Sequence, residues 1–303
     1  MQDRSKSMRV TIVSFMDFCG SGHKLYEALR PHHDVEIFVG AHHNPFGHPT
    51  KNVVDARHCK QVQKRLDASR VIIIKGDFPH AVYEREWLVR FNRPTVIMVT
   101  GSFFRKKIHG GFERFPLAMY KGLRVSSDTG LLYPEYSDTW TPMPIDCEKE
   151  PITWKQSNIL THSPTDVNKK NSEFLFRVFD NISSRRSVVI DLIQNVSFAE
   201  AVERRKKSTI FFDQFKVGFY GNSALEAMQW GIPVACYLRP SPLLKDCPVL
   251  NFELSVHKYA DEVCRVLDSD MSQLSRDTKA WCDRYHSYSA VAKKWGEVFA
   301  MLK

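Results

Sequence analysis

The run DQFKVGFYGNSALEAMQWGIPV, residues 213–234, decides how this chain is read. The apolar stretch before it, Ser208 to Phe212, ends at the carboxylate of Asp213 and reads as a buried strand. A glycine turn follows, Gly218-Phe219-Tyr220-Gly221. A helix then starts, with Asn222 or Ser223 as its N-cap and Glu226 within its first turn and a half. The turn Gly231-Ile232-Pro233 leads into a second strand over residues 232–238. A glycine turn feeding a helix start offers bare N–H groups and partial positive charge, which suit a diphosphate. A carboxylate one turn further on can accept the paired hydroxyls of a ribose. The run therefore points to a nucleoside diphosphate carrying another group.

Outward from this run the chain alternates strands and helices. Before it, strands are expected over 8–15, 35–39, 70–75 and 95–100, with helices over 24–30, 61–68 and 84–91. A second series has strands over 158–161, 187–193 and 209–212, and helices over 171–179 and 197–206. Residues 256–267 and 271–302 read as mainly helical. The alternation predicts an α/β protein of βαβ units with parallel sheets. Between the series, residues 132–151 hold Pro134, Pro142, Pro144 and Pro151 and read as the linker. The expected domains are residues 1–148 and 149–303, each Rossmann-like.

With 303 residues, there is room for two domains with proper cores. A hydrophobic content of 43% and a charged content of 25% are those of an ordinary globular protein. No apolar stretch reaches the roughly 18 residues that cross a bilayer, and the polar start MQDRSKSMR lacks a signal-peptide core. The seven cysteines form no CxxC pair, which argues against a zinc knuckle or a disulfide framework. The cytoplasm is the expected compartment. The net charge of +9 points to an anionic partner. Part of that excess is local: residues 99–125 carry six Lys and Arg against one Glu.

The 213–234 run resembles the donor signature of GT-B glycosyltransferases, of the large retaining family with many bacterial and phage sugar transferases. One branch reads approximately D-Q-x-x-x-G-x-Y-G-x-x-x-L-E-A-M-x-x-G-x-P-V, matched here from Asp213 through Val234. The broader family often has a second glutamate eight residues before Glu226, and assigns it to the sugar. That position is Gly218 here, so the sugar must be recognised differently, with Asp213 or Gln214 as candidates. A second segment, Ile159-Leu160-Thr161-His162-Ser163-Pro164-Thr165 with Lys170-Asn171-Ser172, resembles the family's entry to the donor domain. There the lysine and a nearby arginine neutralise the leaving diphosphate. Lys170 takes the lysine's place. Asn171 stands for the usual glycine and can adopt a left-handed turn. The arginine position is Val167, which leaves Lys169 or another basic residue to substitute. The resemblance implies two Rossmann-like domains facing across a cleft, with the last helix crossing back onto the first domain.

It also implies a set of site residues. Donor binding falls to Asp213, Gln214, Tyr220, Gly221, Asn222, Ser223, Glu226 and Lys169, and to the loop Gly20-Ser21-Gly22, which in such enzymes lies beneath the reacting sugar. Lys170 is the expected catalytic cation. Asp77 and His23 are candidates to orient or deprotonate the acceptor. Each has a plainer alternative: Tyr220 as core, His23 as structural, Asp77 as a solvated turn residue, and Gly20 to Gly22 as a tight turn. Thr100-Gly101-Ser102-Phe103-Phe104-Arg105 resembles an H-G-S-x-x-R loop of some relatives.

The implied reaction is retaining transfer of a hexose from a nucleotide sugar, UDP-glucose being the family's default donor. No tightly bound cofactor and no metal are expected. For the acceptor, the aromatic and basic segment 100–124 suits DNA with 5-hydroxymethylated bases, as in phage DNA glucosylation. Phe103, Phe104, Arg105, Lys106, Lys107 and Arg114 would be its contacts. A phage-encoded enzyme would work in the host cytoplasm. The same segment also suits a lipid-linked or polysaccharide acceptor at an anionic membrane. A binding module without catalysis is the third reading.

Overall fold

A computed structural model of the chain describes residues 7–41, 47–48, 52–55, 59–76, 80–99, 122–132, 137 and 139–302. The chain divides into two compact units, residues 1–144 with 288–303, and residues 145–287.

In the first unit, six parallel strands lie in the order β2-β1-β3-β4-β5-β6. These are β1 (Arg9–Met16), β2 (Asp34–Ala41), β3 (Val71–Lys75), β4 (Thr95–Val99), β5 (Leu123–Ser126) and β6 (Thr139–Trp140). The strand side chains alternate between two cores. Val10, Ile12, Ile37, Ile73 and Met98 face one way, against α1 (Ser21–Leu29) and the last helix, α10 (Tyr288–Ala300). Val13, Phe38, Ile72 and Ile74 face the other way, against α2 (Cys59–Ala68) and α3 (His80–Glu86). Because both faces are covered, β3 and β4 read as nearly unbroken apolar runs.

The second unit holds β7 (Ile159–His162), β8 (Val189–Leu192), β9 (Ile210–Phe212) and β10 (Val234–Ala235), also parallel, in the order β10-β9-β7-β8. Leu160, Ile210 and Phe212 pack with α5 (Ser172–Ser183) and α8 (Val256–Leu267). The remaining helices are α4 (Val167–Lys170), α6 (Phe198–Arg205), α7 (Asn222–Met228) and α9 (Ser272–His286).

Several local expectations change. Helix α1 starts at Ser21 rather than Lys24, because Gly20 turns left-handed (φ 60°) and Asp17 caps the new N-terminus. The helix expected over 84–91 is His80–Glu86, and the chain leaves it through Leu88 in a left-handed conformation (φ 55°). The linker stretch contains β6, which was not expected; before it, β5 ends at Ser126, where Ser126-Ser127-Asp128 resembles the family's strand-end motif. The strand expected over 232–238 shrinks to two residues. The N–H groups of Cys236, Tyr237 and Leu238 are taken by Leu250, Gln214 and Asn251 instead of a continuing ladder. The expected helix 271–302 breaks at the extended Ser287 (ψ 153°), whose neighbour His286 accepts from the Ile145 N–H at 2.8 Å. After this break, α10 joins the first unit and packs its Trp295 and Phe299 into that core.

Candidate functional site

In both sheets the first strand has the second on one side and the third on the other, so chain direction across the sheet reverses there. Ligands of open α/β sheets bind at such switch points, beyond the strand carboxyl ends. In the second unit, β7 and β9 flank the switch. Asp213 directly follows β9, and its side chain is fully buried. Its carboxylate accepts from three groups: Lys170 Nζ, the Gly221 N–H, and Ser223 Oγ at 3.1 Å. One side chain thus ties the end of α4, the glycine turn and the first turn of α7 together. Asn171 adopts the left-handed geometry open to it (φ 55°, ψ 49°) and serves as C-cap of α4 and N-cap of α5. That turn delivers Lys170 to Asp213. The Lys170 side chain is 12% exposed, whereas that of Asp213 is fully buried.

The N-cap of α7 is Gly221, not Asn222 or Ser223, because the Ser223 hydroxyl is spent on Asp213. Asp213 is consumed within the loop, and the Gln214 amide donates to the Phe219 carbonyl. Gly218 has φ +85°, and a Cβ there would collide with the Arg239 side chain, whose backbone N–H donates to the Gly218 carbonyl at 2.9 Å. Arg239 therefore fills the space a side chain at 218 would use. Tyr220 takes its core alternative. It is buried, its hydroxyl is bonded to His286 Nε2 at 2.8 Å, and burial pushes its phenol well above the ordinary range.

Glu226 lies one helical turn beyond Asn222 on α7. It is 4% exposed, and its carboxylate accepts from Arg205 Nη1. Lys169 lies apart from this cluster: its side chain is 56% exposed and pairs with Asp166 at 3.2 Å. His162, at the end of β7, bonds the Phe212 carbonyl through Nδ1 and Ser172 Oγ through Nε2, both at 2.8 Å. It fastens β7 to β9 and to the start of α5. Burial lowers its pKa to about 4, so the ring is neutral, with Nδ1–H donating and Nε2 accepting.

The first unit has a matching arrangement between β1 and β3. Asp17 follows β1 and accepts from the Gly22 N–H at 2.6 Å and the His23 N–H at 3.1 Å. Lys75, the last residue of β3, lies 3.2 Å from the same carboxylate, and both side chains are buried. Gly22 permits this closeness: a Cβ there would stand 3.0 Å from Asp17 Oδ1 and 3.2 Å from Lys75 Cδ. The Gly20-Ser21-Gly22 turn is thus capped by the chain's own Asp17. His23 lies 3.8 Å from Glu27 and packs beside Tyr26 on α1. The candidates Asp77, Phe103, Phe104, Arg105, Lys106, Lys107 and Arg114 lie outside the described residues.

Sequence reasoning missed Asp17, Arg205 and Arg239. Asp17 and Arg205 left faint signals: a lone acid between an apolar strand and a glycine turn, and a second arginine at a helix end already served by Arg204. Arg239 left none. Among the described residues no helix is long and apolar enough to cross a membrane.

No protein-family model matches the chain, and no curated protein matches it by sequence. Solved structures do resemble it. One is an alpha-glucosyltransferase in complex with UDP-glucose and DNA containing an abasic site (TM-score 0.67, 15% identity, 98% of this chain and 99% of that one). Another is an alpha-glucosyltransferase with UDP and a 13-mer DNA containing a HMU base (TM-score 0.64, 14% identity, 98% and 99%). A third is a sucrose-phosphate synthase from Thermosynechococcus elongatus (TM-score 0.61, 11% identity, 97% and 99%). The chain has the GT-B glycosyltransferase fold.

Proposed function

We propose that this protein is a glycosyltransferase. It moves a hexose from a UDP-glucose-type donor to the hydroxyl of a 5-hydroxymethylated base in DNA, with retention at the anomeric carbon. The observation that supports this most is the switch-point cluster of Lys170, Asp213, Gly221 and Ser223, with Glu226 one turn along the same helix. This spacing suits a nucleoside diphosphate, whose ribose lies next to its phosphates. In this reading Lys170 and the first N–H groups of α7 carry the charge that develops on the leaving diphosphate. The bond between the anomeric carbon and the diphosphate oxygen breaks. The acceptor oxygen bonds that carbon from the same face, and its proton passes to a phosphate oxygen of the donor. Glu226 holds the ribose. The cationic role assigned to Lys170 makes turnover in EDTA the expected behaviour. Support for a DNA acceptor comes from the DNA in two similar structures and from the basic, aromatic segment 100–124.

Two variants test the site. Lys170→Ala is expected to lower turnover about a hundredfold, the scale of losing one charge-stabilising group in a transition state. Glu226→Ala is expected to raise the donor KM about tenfold through a lost charged hydrogen bond. Circular dichroism melts confirm that each variant is folded. Unchanged turnover and KM in both folded variants would remove the assignment.

A further inference from the structure

Arg204 and Arg205 end helix α6, where cations complement the helix dipole. Arg204 behaves as such a residue usually does: it reaches the partly exposed Asp191 at the surface. Arg205 turns inward. It is 4% exposed and donates from Nη1 to Oε2 of Glu226, itself just as buried. Among the described residues its Nε–H is buried without an acceptor.

As a stabilising device this pair is poor. Removing two charges from water costs several kcal/mol, and an unmet guanidinium donor adds to that cost. The arrangement makes sense if Glu226 has a task that needs it charged and fixed. Two vicinal hydroxyls are both donors toward a carboxylate, and an ionised carboxylate accepts from both with charge-assisted bonds and no competing donor of its own. A carboxylate buried without a counter-charge tends to hold a proton, and a protonated carboxyl is itself a donor. A bond at Oε2 supplies the counter-charge and sets the plane of the carboxylate. Glu226 lies four residues beyond Asn222, about 6 Å along α7, roughly the distance from a diphosphate to the far edge of its ribose.

We propose that Arg205 is a positioning residue for donor selection: by holding Glu226 ionised and oriented, it makes the site select ribonucleotide over 2′-deoxyribonucleotide donors. This rests on the donor-site reading above and goes beyond it by naming the residue that controls sugar discrimination in the nucleotide. A cell replicating DNA contains both nucleotide types, so such selection has a use.

The test is calorimetric titration of the whole protein with UDP and with 2′-deoxy-UDP. The wild-type chain is expected to bind UDP at least tenfold more tightly. In Arg205→Met, UDP binding is expected to weaken about tenfold while 2′-deoxy-UDP changes less than threefold, so that discrimination collapses. Arg205→Lys, which keeps a charge, should recover part of the ratio. If Arg205→Met does not fold, Arg205→Gln serves in its place; it keeps a polar side chain without the charge and should lose the same ratio. Equal weakening of both nucleotides in a folded Arg205→Met, or an unchanged ratio, would overturn the inference and leave the donor site standing. A wild-type protein that binds neither nucleotide would overturn both.

Discussion

At His162, burial sets the protonation state, and one consequence can be measured. The ring is neutral in the folded protein because its pKa is lowered to about 4 from an ordinary 6.5, chiefly by loss of water. Above pH 6.5 folded and unfolded chains bind the same number of protons at this site. Between pH 6.5 and 4 the unfolded chain binds more, so stability falls as pH falls through this window, by about 3 kcal/mol in total. Urea unfolding from pH 7 to pH 4 should show this loss, and His162→Gln should flatten that part of the curve; an unchanged slope would contradict it. At this scale the sequence was legible where a motif marks the residue: Lys170, Asp213, Gly221 and Ser223 were each singled out, and the fold brings them together although Lys170 and Asp213 are 43 residues apart. It was not legible where a partner comes from a distant helix. Arg205 is 21 residues from Glu226 and meets it only once α6 and α7 are packed. Tyr220 could not be assigned either, since its burial depends on His286, 66 residues on.

At the scale of elements, the loop between β9 and α7 is held by backbone geometry as much as by side chains. Gly218 has φ +85° and lies under the stem of Arg239. Gly218→Ala introduces a Cβ into both a left-handed conformation and an occupied space, so it should cost about 1–3 kcal/mol in a melting experiment. A neutral result would mean that Arg239 moves aside freely. The motif identified this loop correctly as a turn into a helix but not its cap, because whether Ser223 caps α7 or bonds Asp213 depends on where β9 ends. The break at Ser287 was equally hidden: nothing in the local residues opposes a continuous helix, and the extended Ser287 is paired with Ile145, far away in the chain.

At the scale of the molecule, both sheets repeat one plan. A carboxylate at the switch point caps the next helix or turn and holds a lysine, Asp17 with Lys75 in one unit and Asp213 with Lys170 in the other. The alternation of strands and helices was enough to foresee two parallel sheets. The edge strand β6 was missed because a two-residue strand in a proline-flanked stretch lacks the apolar run that marks β3 and β4. The first unit is completed by the end of the chain: Trp295 of α10 is fully buried in its core. Trp295→Ala should therefore destabilise that unit by about 3–5 kcal/mol, read as an early melting transition, and an unshifted melt would show that α10 contributes little to that core.

The central claim is that the switch-point cluster serves hexose transfer to a modified base. Its most direct test is to incubate the protein with UDP-glucose and DNA containing 5-hydroxymethylated pyrimidines, digest the DNA, and weigh the nucleosides by mass spectrometry. The account predicts one hexose added to the modified nucleoside, lost in Lys170→Ala. Donor hydrolysis with no mass added to any nucleoside would contradict the DNA acceptor and shift the search to glycan or lipid-linked acceptors, and no donor consumption at all would contradict the claim of transfer itself.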